Sequence, residues 1–440
     1  MGLAIPPLPD SSRVNSAGHL EVAGCDLMEL AAEYGTPLIV YDEDQIRERF
    51  REYKRAFSVR TDDFDIIYAS KAFTCIAMCQ LIVQEGISLD VASGGELYTA
   101  LKAWFPPENI LLHGNANSRD ELERAVRNEV GHVVVDSLHE LKALDETAAA
   151  QGKMQKILLR ITPGIEAHTH DFIQTGKLDS KFGLCLEAGV ADDAVAAAMA
   201  ATNLELIGLH CHIGSQIFGL EPYRKSIAVM ADFAFVCAEK HSFTCQLLDV
   251  GGGLGVGYTS DDDPASIDEL ADIIVKSVAD EFGRVGLPVP RIAVEPGRSI
   301  VANAGLTAYT IETVKTIPGV KTYVAVSGGM SDNMRPMLYG AEYVALIADR
   351  PEAEATITVT VVGKHCESGD VLIKESGLPD PRPGDLLITP CTGAYGYSMA
   401  SNYNGQTRPA VVFVKEGRAR TVIRRESYED LVHLQEHLEP

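Results

Sequence analysis

The sequence predicts an α/β protein: a (β/α)8 TIM-type barrel with a second, mostly antiparallel β domain. Up to about Pro296, short β-rich runs alternate with helical patterns, which is typical of βαβ units and a parallel sheet. There are eight such runs, the number that closes a barrel. After about Pro296 extended runs follow one another with few helices between them, which favours antiparallel pairing.

The eight predicted barrel strands are apolar, β-rich runs, and the predicted helices between them repeat apolar residues at three- and four-residue spacing. The strands are Asp65–Ala72, Ser88–Ser93, Ile110–Gly114, His132–Ser137, Ile157–Thr162, Leu206–Ile213, Leu247–Gly251 and Arg291–Pro296. The helices are Ile76–Glu85, Glu96–Trp104, Arg119–Asn128, Glu140–Gln151, Ala188–Ala200, Pro222–His241 and Ala265–Val285.

The second domain is predicted from extended runs rich in β-branched residues. These runs are Thr356–Gly363, Asp385–Thr389 and Ala410–Val414. Two short runs near the N-terminus, Leu20–Val22 and Pro37–Tyr41, are expected to add strands to it. We therefore expect the barrel at residues 43–300, and a β-rich domain made of residues 1–42 and 301–440.

Charge and cysteine usage restrict the partners and the compartment. The 440 residues carry a formal net charge of −24, so nucleic acid and anionic membranes would repel the chain. No apolar run is long enough to span a bilayer, and no signal peptide is visible. The nine cysteines include no Cys-x-x-Cys pair, as expected of free thiols in a reducing cytoplasm. We expect a cytoplasmic protein that binds a small molecule, without nucleic-acid or membrane partners.

Lys71 is the most informative single residue. It follows an apolar run that indicates a buried strand, and an ammonium group is costly to bury. A lysine in such a place is either paired, with Asp90 as the candidate partner, or used in chemistry. One such use is a Schiff base with an aldehyde cofactor. The residue by itself leaves both interpretations open.

Polar residues and glycines end most of the predicted barrel strands, where barrel enzymes carry their chemistry. They are Lys71, Asp90 with Ser93, His113, Asp136, Arg160, His212, Gly251–Gly253 and Glu295. Glu295 either pairs with Arg298 in a turn or holds a proton for a ring nitrogen. The glycines after Val250 either form a tight turn or let main-chain N–H groups bind a phosphate.

Two histidine pairs raise the alternative of a zinc site. In His210-Cys-His212 alternate residues of a strand face the same side, and His168-Thr-His170 has the same spacing. A catalytic zinc needs a third ligand, and neither a His-Glu-x-x-His pattern nor paired thiolates occur. We therefore expect no metal, and we interpret His212 as a neutral imidazole that stacks on a planar ring.

Together these segments resemble the diaminopimelate decarboxylases, a family of fold-type III pyridoxal-phosphate enzymes, over nearly the whole chain. The matching segments are Tyr68–Ala72, Leu89–Leu97, His113–Asn115, Ser180–Gly183, His210–Gln216, Asp249–Gly255, Glu295–Arg298, Gly328–Met330, Arg335–Gly340, Cys366–Asp370 and Gly393–Tyr395. The chain departs from the family pattern at Phe73, Asn117 and Ser327, where Asn, Lys and Asp are common.

The resemblance implies a lyase that uses pyridoxal 5'-phosphate to decarboxylate meso-2,6-diaminopimelate to L-lysine and CO2, the last step of lysine biosynthesis. The alternative is an ornithine, arginine or lysine decarboxylase on the same fold. A non-catalytic homologue that only binds partners would have no chemical need for Lys71, Glu295, Cys366 and Tyr395. A metal enzyme is the most remote alternative.

The resemblance also implies the roles of the site residues. The expected catalytic residues are Lys71, which binds the cofactor covalently, Glu295, which keeps the ring nitrogen protonated, His212, which stacks on the ring, and Cys366, the acid that returns a proton to the substrate carbon. Expected cofactor contacts are Lys71, Asp90, Arg160, His212, Ser215, Gly252, Gly253, Glu295, Pro296, Gly297, Arg298 and Tyr395. In a homodimer, the Cys366 segment is expected to reach the active site of the partner subunit.

Substrate contacts are expected from Arg298, Arg335, Tyr339, Glu367 and Tyr395. Diaminopimelate carries an ammonium and a carboxylate at its distal end, so the site must offer both an anion and a cation. Glu367 suits the ammonium, and the planar fork of Arg335 suits the carboxylate. Ornithine lacks that carboxylate and would leave Arg335 unpaired, a mismatch that such sites reject by roughly 10⁴-fold or more.

Overall fold

The structure is a computed structural model, and it describes residues 7–165 and 180–438. The chain forms two compact units, called here the barrel unit and the β-rich unit. The barrel unit consists of Arg49–Gly255 and Asp263–Ser299, and the β-rich unit of Met1–Glu48, Val256–Asp262 and Ile300–Pro440. No helix in the described ranges has both the length and the apolar character needed to cross a membrane.

Short strands and two helices open the chain. They are β1 Arg13–Val14, β2 Leu20–Val22, β3 Cys25–Asp26, α1 Leu27–Tyr34, β4 Leu38–Asp42 and α2 Glu43–Ser58. The first three strands pair antiparallel in a small sheet of their own. The expected strand at Leu20–Val22 therefore exists in the β-rich unit, but it pairs in this small sheet and not in the main one.

Strands and helices then alternate through the barrel unit, because apolar periodicity switches between the two patterns along the sequence. The elements are β5 Phe64–Ala69, α3 Ile76–Glu85, β6 Ser88–Val91, α4 Gly94–Lys102, β7 Ile110–Leu112, α5 Arg119–Arg127, β8 His132–Val135, α6 Leu138–Gln151, β9 Gln155–Thr162, β10 Leu184–Cys185, α7 Val190–Ala200, β11 Leu204–His210, α8 Glu221–His241, β12 Leu247–Asp249, α9 Ile267–Arg284 and β13 Arg291–Val294. Short 3-10 helices lie at Ser70–Ala72, Pro107–Asn109 and Glu187–Gly189.

Eight of these strands form a closed parallel barrel, as the sequence predicts. Their order is β9-β11-β12-β13-β5-β6-β7-β8, and β8 pairs with β9 to close the ring. The short strand β10 adds a parallel pairing to β9. Each predicted strand is present, but most end earlier than expected. For example, β5 ends at Ala69 because the next three residues form a 3-10 helix.

An apolar cluster drawn only from strand residues fills the barrel. Its members come from seven strands, and they are Ile67, Leu111, Val134, Leu158, Ile207, Leu247 and Ala293. Burying one such large side chain contributes roughly 1.5–3 kcal/mol, so this packing holds the strands together. Serine side chains then cap four of the following helices, at Ser93, Ser118, Ser137 and Ser266. The strands therefore present their carboxyl ends on a rigid support.

The rest of the β-rich unit is mostly sheet. Its elements follow α10 Arg298–Val301 and are β14 Gly305–Ile317, β15 Lys321–Val326, α11 Arg335–Tyr339, β16 Leu346–Ile347, β17 Ile357–Val362, β18 Val371–Leu378, β19 Leu386–Pro390, β20 Ala410–Lys415, β21 Arg418–Ile423 and α12 Tyr428–Val432. The main path is β18-β17-β15-β14-β4-β20-β21, with β19 on β14 and β16 on β19. Only β15–β17 and β20–β4 pair in parallel among these described strands, so the expected antiparallel character is confirmed.

Candidate active site

A buried carboxylate lies between two histidines at the carboxyl ends of the barrel strands. Glu295 follows β13, His113 follows β7, and His210 ends β11. Nε2 of His113 lies 2.6 Å from Oε1 of Glu295, and Nε2 of His210 lies 3.3 Å from Oε2. All three side chains are buried, and the two imidazole rings meet edge to face. We refer to these three residues as the Glu295 cluster.

Burial and charge set the protonation of the Glu295 cluster. Burial alone would lower the pKa of His113, but the negative charges of Glu295 and Asp90 raise it. Burial lowers the pKa of His210 to about 4. Burial alone would raise the pKa of Glu295, but the neighbouring histidines hold it well below its usual value. Near neutral pH Glu295 is therefore ionised and His210 is neutral, while the negative charges around His113 favour its protonated form.

Two further buried carboxyl groups adjoin this cluster. Burial raises the pKa of Asp90 to about 6, and burial together with the charge of Glu295 raises the pKa of Asp249 far above its usual value. One oxygen of Asp249 accepts the backbone N–H of Gly251 at 2.9 Å. Carboxyl groups that share one buried site do not all ionise. The negative charge therefore concentrates on Glu295, which has the two histidines.

The Glu295 cluster also has the composition of a metal site, since its three ligand atoms lie within 4.8 Å of one another. A tetrahedral zinc ion holds nitrogen and oxygen ligands roughly 3.3 Å apart, given bonds near 2 Å. Nε2 of His113 and Oε1 of Glu295 are only 2.6 Å apart, which suits an ion pair and not two ligands of one ion. The other predicted candidates, His168 and His170, lie outside the described residues.

His212 follows β11 and is a neutral imidazole. Its Nδ1 accepts the backbone N–H of Gly252 at 3.2 Å, which places the proton on Nε2. Burial and the positive charge of Lys71 lower its pKa well below the usual value. The structure thus supports the neutral form expected from the sequence, while the stacking role of His212 stays a prediction.

Lys71 lies in the 3-10 helix Ser70–Ala72, directly after β5, and its side chain is exposed. The expectation of a lysine buried in a strand is therefore wrong, because the strand ends at Ala69. The positive charge of Lys71 adds to burial in lowering the pKa of His212, and it offsets part of the rise that burial causes in the pKa of Asp90. The amine thus acts on both groups and remains accessible to a ligand.

Close backbone approach explains two of the glycines after β12. Gly253 has φ of +111°, and a Cβ there would lie 2.4 Å from the carbonyl oxygen of Gly214. A Cβ on Gly252 would lie 2.0 Å from the carbonyl oxygen of Glu295. Only glycine fits at these positions. The N–H of Gly252 donates to His212, whereas the main chain at Gly253 has no side chain to cover it, which is a condition for anion binding through an N–H group.

The segment after Glu295 packs against the end of β5. The carbonyl of Pro296 accepts the N–H of Ala69 at 3.1 Å, and a Cβ on Gly297 would lie 3.0 Å from the Ala69 Cβ. The buried Arg298 donates to the hydroxyl of Ser215 at 2.8 Å. The predicted cofactor contacts Gly297, Arg298 and Ser215 therefore belong to one contiguous part of the barrel unit.

Arg160, on β9, forms a second charged group with the buried Asp136, and its own side chain is largely buried. Its Nε lies 3.8 Å from Oδ1 of Asp136, and its guanidinium carbon lies 4.4 Å from the ring centre of Phe182. Burial lowers the pKa of Arg160 and raises that of Asp136. The stacking and the ion pair orient the guanidinium at the end of β9.

In the β-rich unit, Arg335 begins α11 and is buried against two tyrosines. Its guanidinium carbon lies 4.6 Å from the ring centre of Tyr258 and 5.6 Å from that of Tyr343. It also donates to the Tyr343 hydroxyl. Within the described ranges, no carboxylate lies at ion-pair distance from Arg335.

Cys366 and Glu367 lie on the loop that joins β17 to β18, and both side chains are exposed. The backbone N–H of Cys366 donates to Oδ1 of Asn404 at 2.8 Å. At the base of the loop, Asp370 accepts the N–H of His365 at 3.0 Å and lies 2.7 Å from its Nδ1. The loop is thus held at both ends and presents its thiol to solvent.

The two predicted tyrosine contacts are half-buried residues of the β-rich unit. Tyr339 ends α11, four residues after Arg335. Tyr395 has φ of +61°, a left-handed conformation in which few non-glycine residues occur. Such backbone strain is typical of functional positions.

The departures from the family pattern have local structural roles. Phe73 is fully buried in the barrel unit, and Asn117 donates to Oε1 of Glu140 at 2.7 Å. The hydroxyl of Ser327 accepts the backbone N–H of Thr310 at 3.1 Å. Asn117 and Ser327 thus form hydrogen bonds with neighbouring groups, and Phe73 packs inside the protein. The local structure therefore accommodates each of the three residues.

The sequence did not identify several residues of these two regions. His113 was found only as a polar strand end, and neither it nor His210 or Asp249 was assigned to the site. The predicted strands ran past His210 and Asp249. With the correct strand ends, both residues would have been counted among the polar residues that end barrel strands. No sequence signal pairs Tyr258 with Tyr343, because both lie in loops that are far apart in the chain.

Comparison with known proteins agrees with this geometry. The model of the pyridoxal-dependent decarboxylase pyridoxal binding domain matches residues 43–302. The diaminopimelate decarboxylase of Bacillus subtilis is 48% identical over 427 residues, which cover 97% of each chain.

Solved structures agree as well. That of diaminopimelate decarboxylase from M. jannaschii in co-complex with L-lysine has a TM-score of 0.91 at 32% identity and covers 98% of both chains. The Helicobacter pylori enzyme complexed with L-lysine has a TM-score of 0.85 at 33% identity, covering 93% of this chain and 99% of that one. The chain therefore belongs to the diaminopimelate decarboxylases, a family of pyridoxal-dependent decarboxylases.

Proposed function

We propose that this protein is a pyridoxal-phosphate-dependent lyase that converts meso-2,6-diaminopimelate to L-lysine and CO2, the last step of lysine biosynthesis. The observation that carries the proposal is the ionised, buried Glu295 at the end of β13, in a chain 48% identical to a diaminopimelate decarboxylase. A decarboxylase of this kind needs a fixed anion beside the cofactor ring, because an anion favours the protonated ring nitrogen.

The residues of the barrel unit fit pyridoxal 5'-phosphate. Glu295 is a buried, ionised carboxylate that His113 holds at 2.6 Å, so it offers a fixed anion to a protonated ring nitrogen. Lys71 offers an accessible amine, and the bare main chain at Gly253 and Gly297 suits a phosphate. When bound, the cofactor supplies an electron sink for the pair left behind when CO2 departs.

In this proposal the barrel unit holds the cofactor and sets its charge. Lys71 would hold the cofactor through a covalent bond from its amine, and Glu295 would keep the ring nitrogen protonated. The neutral His212 lies against the ring. The further cofactor contacts are Asp90, Arg160, Ser215, Gly252, Gly253, Pro296, Gly297, Arg298 and the hydroxyl of Tyr395. His113 and His210 keep Glu295 ionised.

The β-rich unit supplies the substrate contacts and the acid. Cys366 donates a proton from Sγ to the carbon that has lost CO2, and its exposure leaves the thiol accessible for this role. Glu367 binds the distal ammonium. Arg335, assisted by Arg298, Tyr339 and Tyr395, binds the distal carboxylate.

We further propose a cytoplasmic homodimer in which the Cys366 loop of each protomer completes the active site of its partner. The exposure of Cys366 and Glu367 supports this, since neither has a buried environment in a single chain. All nine cysteines are free thiols, which suits a reducing compartment. We also keep residues 43–300 as the proposed barrel domain, with residues 1–42 and 301–440 forming the β-rich domain.

A substrate panel tests the proposal. CO2 release would be measured from meso-diaminopimelate, ornithine, arginine and lysine under identical conditions. We expect release from diaminopimelate to exceed the others by roughly 10⁴-fold, because substrates without a distal carboxylate leave Arg335 desolvated and unpaired. A preference for ornithine would favour the alternative of a basic amino-acid decarboxylase, and no release from any substrate would favour a non-catalytic protein.

A further inference from the structure

The environment of Arg335 differs from that of most buried arginines. Only 5% of the residue is exposed, yet no carboxylate lies at ion-pair distance among the residues that the structure describes. Its Nε has no hydrogen-bond partner within the same ranges. A buried cation without a counter-ion is costly unless other groups replace its lost hydration. The contacts of Arg335 must therefore be sought among uncharged groups.

Two tyrosines provide those contacts. The guanidinium lies 4.6 Å from the ring centre of Tyr258, within the range of a cation–π interaction. The Tyr343 hydroxyl accepts a hydrogen bond from Nη1 of Arg335. The two rings are nearly perpendicular, at 81°, with centres 5.4 Å apart. Arg335 is thus held by a ring face on one tyrosine and a hydroxyl on the other, an arrangement called here the tyrosine clamp.

The tyrosine clamp is itself held in place. Tyr258 and Tyr343 are each only 5% exposed, so their rings have little freedom to turn. The backbone N–H of Tyr258 donates to Oδ2 of Asp262 at 2.8 Å, which closes the loop that carries it. The backbone of Arg335 is fixed by the first turn of α11. The guanidinium is therefore oriented before any ligand arrives.

Uncharged partners have a particular consequence for binding. A carboxylate partner would neutralise Arg335, and a ligand carboxylate would then have to compete with it. A ring face and a hydroxyl stabilise the cation and leave its charge and its remaining N–H donors available. The environment is thus suited to a ligand that brings its own carboxylate.

We propose that Tyr258 and Tyr343 are specificity-determining positioning residues, which hold Arg335 ready for the distal carboxylate of the substrate. This inference rests on the proposed function and deepens it, because it names the residues that separate diaminopimelate from amino acids with an amine alone at the distal end. L-Lysine, the product, keeps this distal carboxylate, because the carboxylate that leaves as CO2 is the one at the reacting carbon. Cadaverine has no carboxylate and gains nothing from the tyrosine clamp.

The test uses the holoenzyme and two substitutions. Tyr343→Phe removes the hydroxyl and should raise the KM for diaminopimelate about 10-fold, as expected for a hydrogen bond to a charged group. Tyr258→Leu removes the ring face and should raise it about 5-fold. In both variants the dissociation constant of L-lysine, which keeps the distal carboxylate, should rise in parallel with this KM. The values of kcat and of the dissociation constant of cadaverine, which has no carboxylate, should stay within about twofold. Tyr323→Phe and Tyr323→Leu, on β15 of the same unit, are matched controls and should behave like the parent.

A double-mutant cycle separates positioning from general damage. In an Arg335→Lys background, Tyr343→Phe should change kcat/KM for diaminopimelate by less than about twofold, since the clamp acts through the guanidinium. An equal effect in both backgrounds would overturn the proposal, as would an equal rise in the dissociation constant of cadaverine, which has no carboxylate. If the Tyr258→Leu variant does not fold, the Tyr343→Phe variant and the double-mutant cycle still test the proposal. A parent enzyme inactive on diaminopimelate would instead contradict the proposed function.

Discussion

The two units of this protein stabilise buried charge in opposite ways. In the barrel unit, Glu295 lies between His113 and His210, so its charge is matched inside the protein. In the β-rich unit, Arg335 is equally buried, but it contacts two tyrosines and has no carboxylate at ion-pair distance among the described residues. Both side chains are buried to a similar extent, and they differ in the groups that stabilise their charge.

This difference teaches how each group is used. A carboxylate whose protonation must stay constant through a reaction is paired inside the protein, because a close opposite charge fixes its pKa. A cation that must bind an incoming anion is stabilised without being neutralised, because a protein counter-ion would compete with the ligand. The predictions below test whether the barrel unit holds the cofactor and the β-rich unit serves the substrate.

The largest effect is expected at Lys71, to which we assign the covalent role in the barrel unit. Lys71→Ala should lower kcat by on the order of 10⁴-fold or more, which is typical of the loss of a covalent catalytic residue. Borohydride reduction and peptide mapping of the parent should place the cofactor mass on Lys71. Lys102→Ala, an exposed lysine that ends α4, is the control and should keep its activity. A cofactor mass on another lysine would break the comparison.

The next effect concerns the matched charge itself. Glu295→Gln keeps the shape of the side chain and removes its charge, so kcat should fall roughly 10²- to 10³-fold, as when one preorganised electrostatic contact is lost. The same change removes the main charge that raises the pKa of His113. Glu205→Gln, an exposed residue of β11, serves as control. Steady-state kinetics that leave kcat within twofold of the parent would show that a fixed anion at Glu295 is not needed.

The third prediction tests the β-rich unit through its exposed thiol. Cys366→Ala should lower kcat roughly 10²- to 10⁴-fold, the range of a lost general acid, while the KM for diaminopimelate changes little. Cys185→Ala, a half-buried cysteine of β10, is the matched control. An unchanged kcat in Cys366→Ala would remove the acid role from the β-rich unit and leave it with substrate binding alone.

The smallest effect compares two imidazoles within the barrel unit. His113 contacts Glu295, whereas no carboxylate within the described ranges lies at ion-pair distance from His132. Burial and the charge of Lys156 lower the pKa of His132 to about 4. The unfolded chain binds this proton near pH 6.5, so it holds more protons than the folded protein between the two values. Stability therefore falls as the pH drops from about 6.5 to about 4.

His132→Gln should remove this loss. Between pH 7 and pH 4.5 the variant should lose less free energy of unfolding than the parent, by up to about 3 kcal/mol, as measured by urea denaturation. His139→Gln, an exposed histidine of α6, is the control and should follow the parent. Equal losses in His132→Gln and the parent would show that burial without a carboxylate does not shift this imidazole.

By itself the sequence determined the barrel, the β-rich unit and the identities of residues such as Lys71, Glu295 and Arg335. Apolar periodicity sets the local element, and a motif names the chemical group that a position must carry. The sequence predicted strand ends less accurately, because a polar residue that follows a buried run is compatible both with one more strand residue and with the start of a loop. This is why Lys71 was placed in a strand and found in a 3-10 helix.

Only the tertiary structure decided which groups share an environment. His113 and Glu295 come from distant segments and meet because β7 and β13 end at the same face of a closed barrel. Tyr258 and Tyr343 meet Arg335 in the same way, through the fold of the β-rich unit. Protonation and charge recognition depend on burial and on distances of a few ångström between side chains. Neither quantity follows from spacing along the chain.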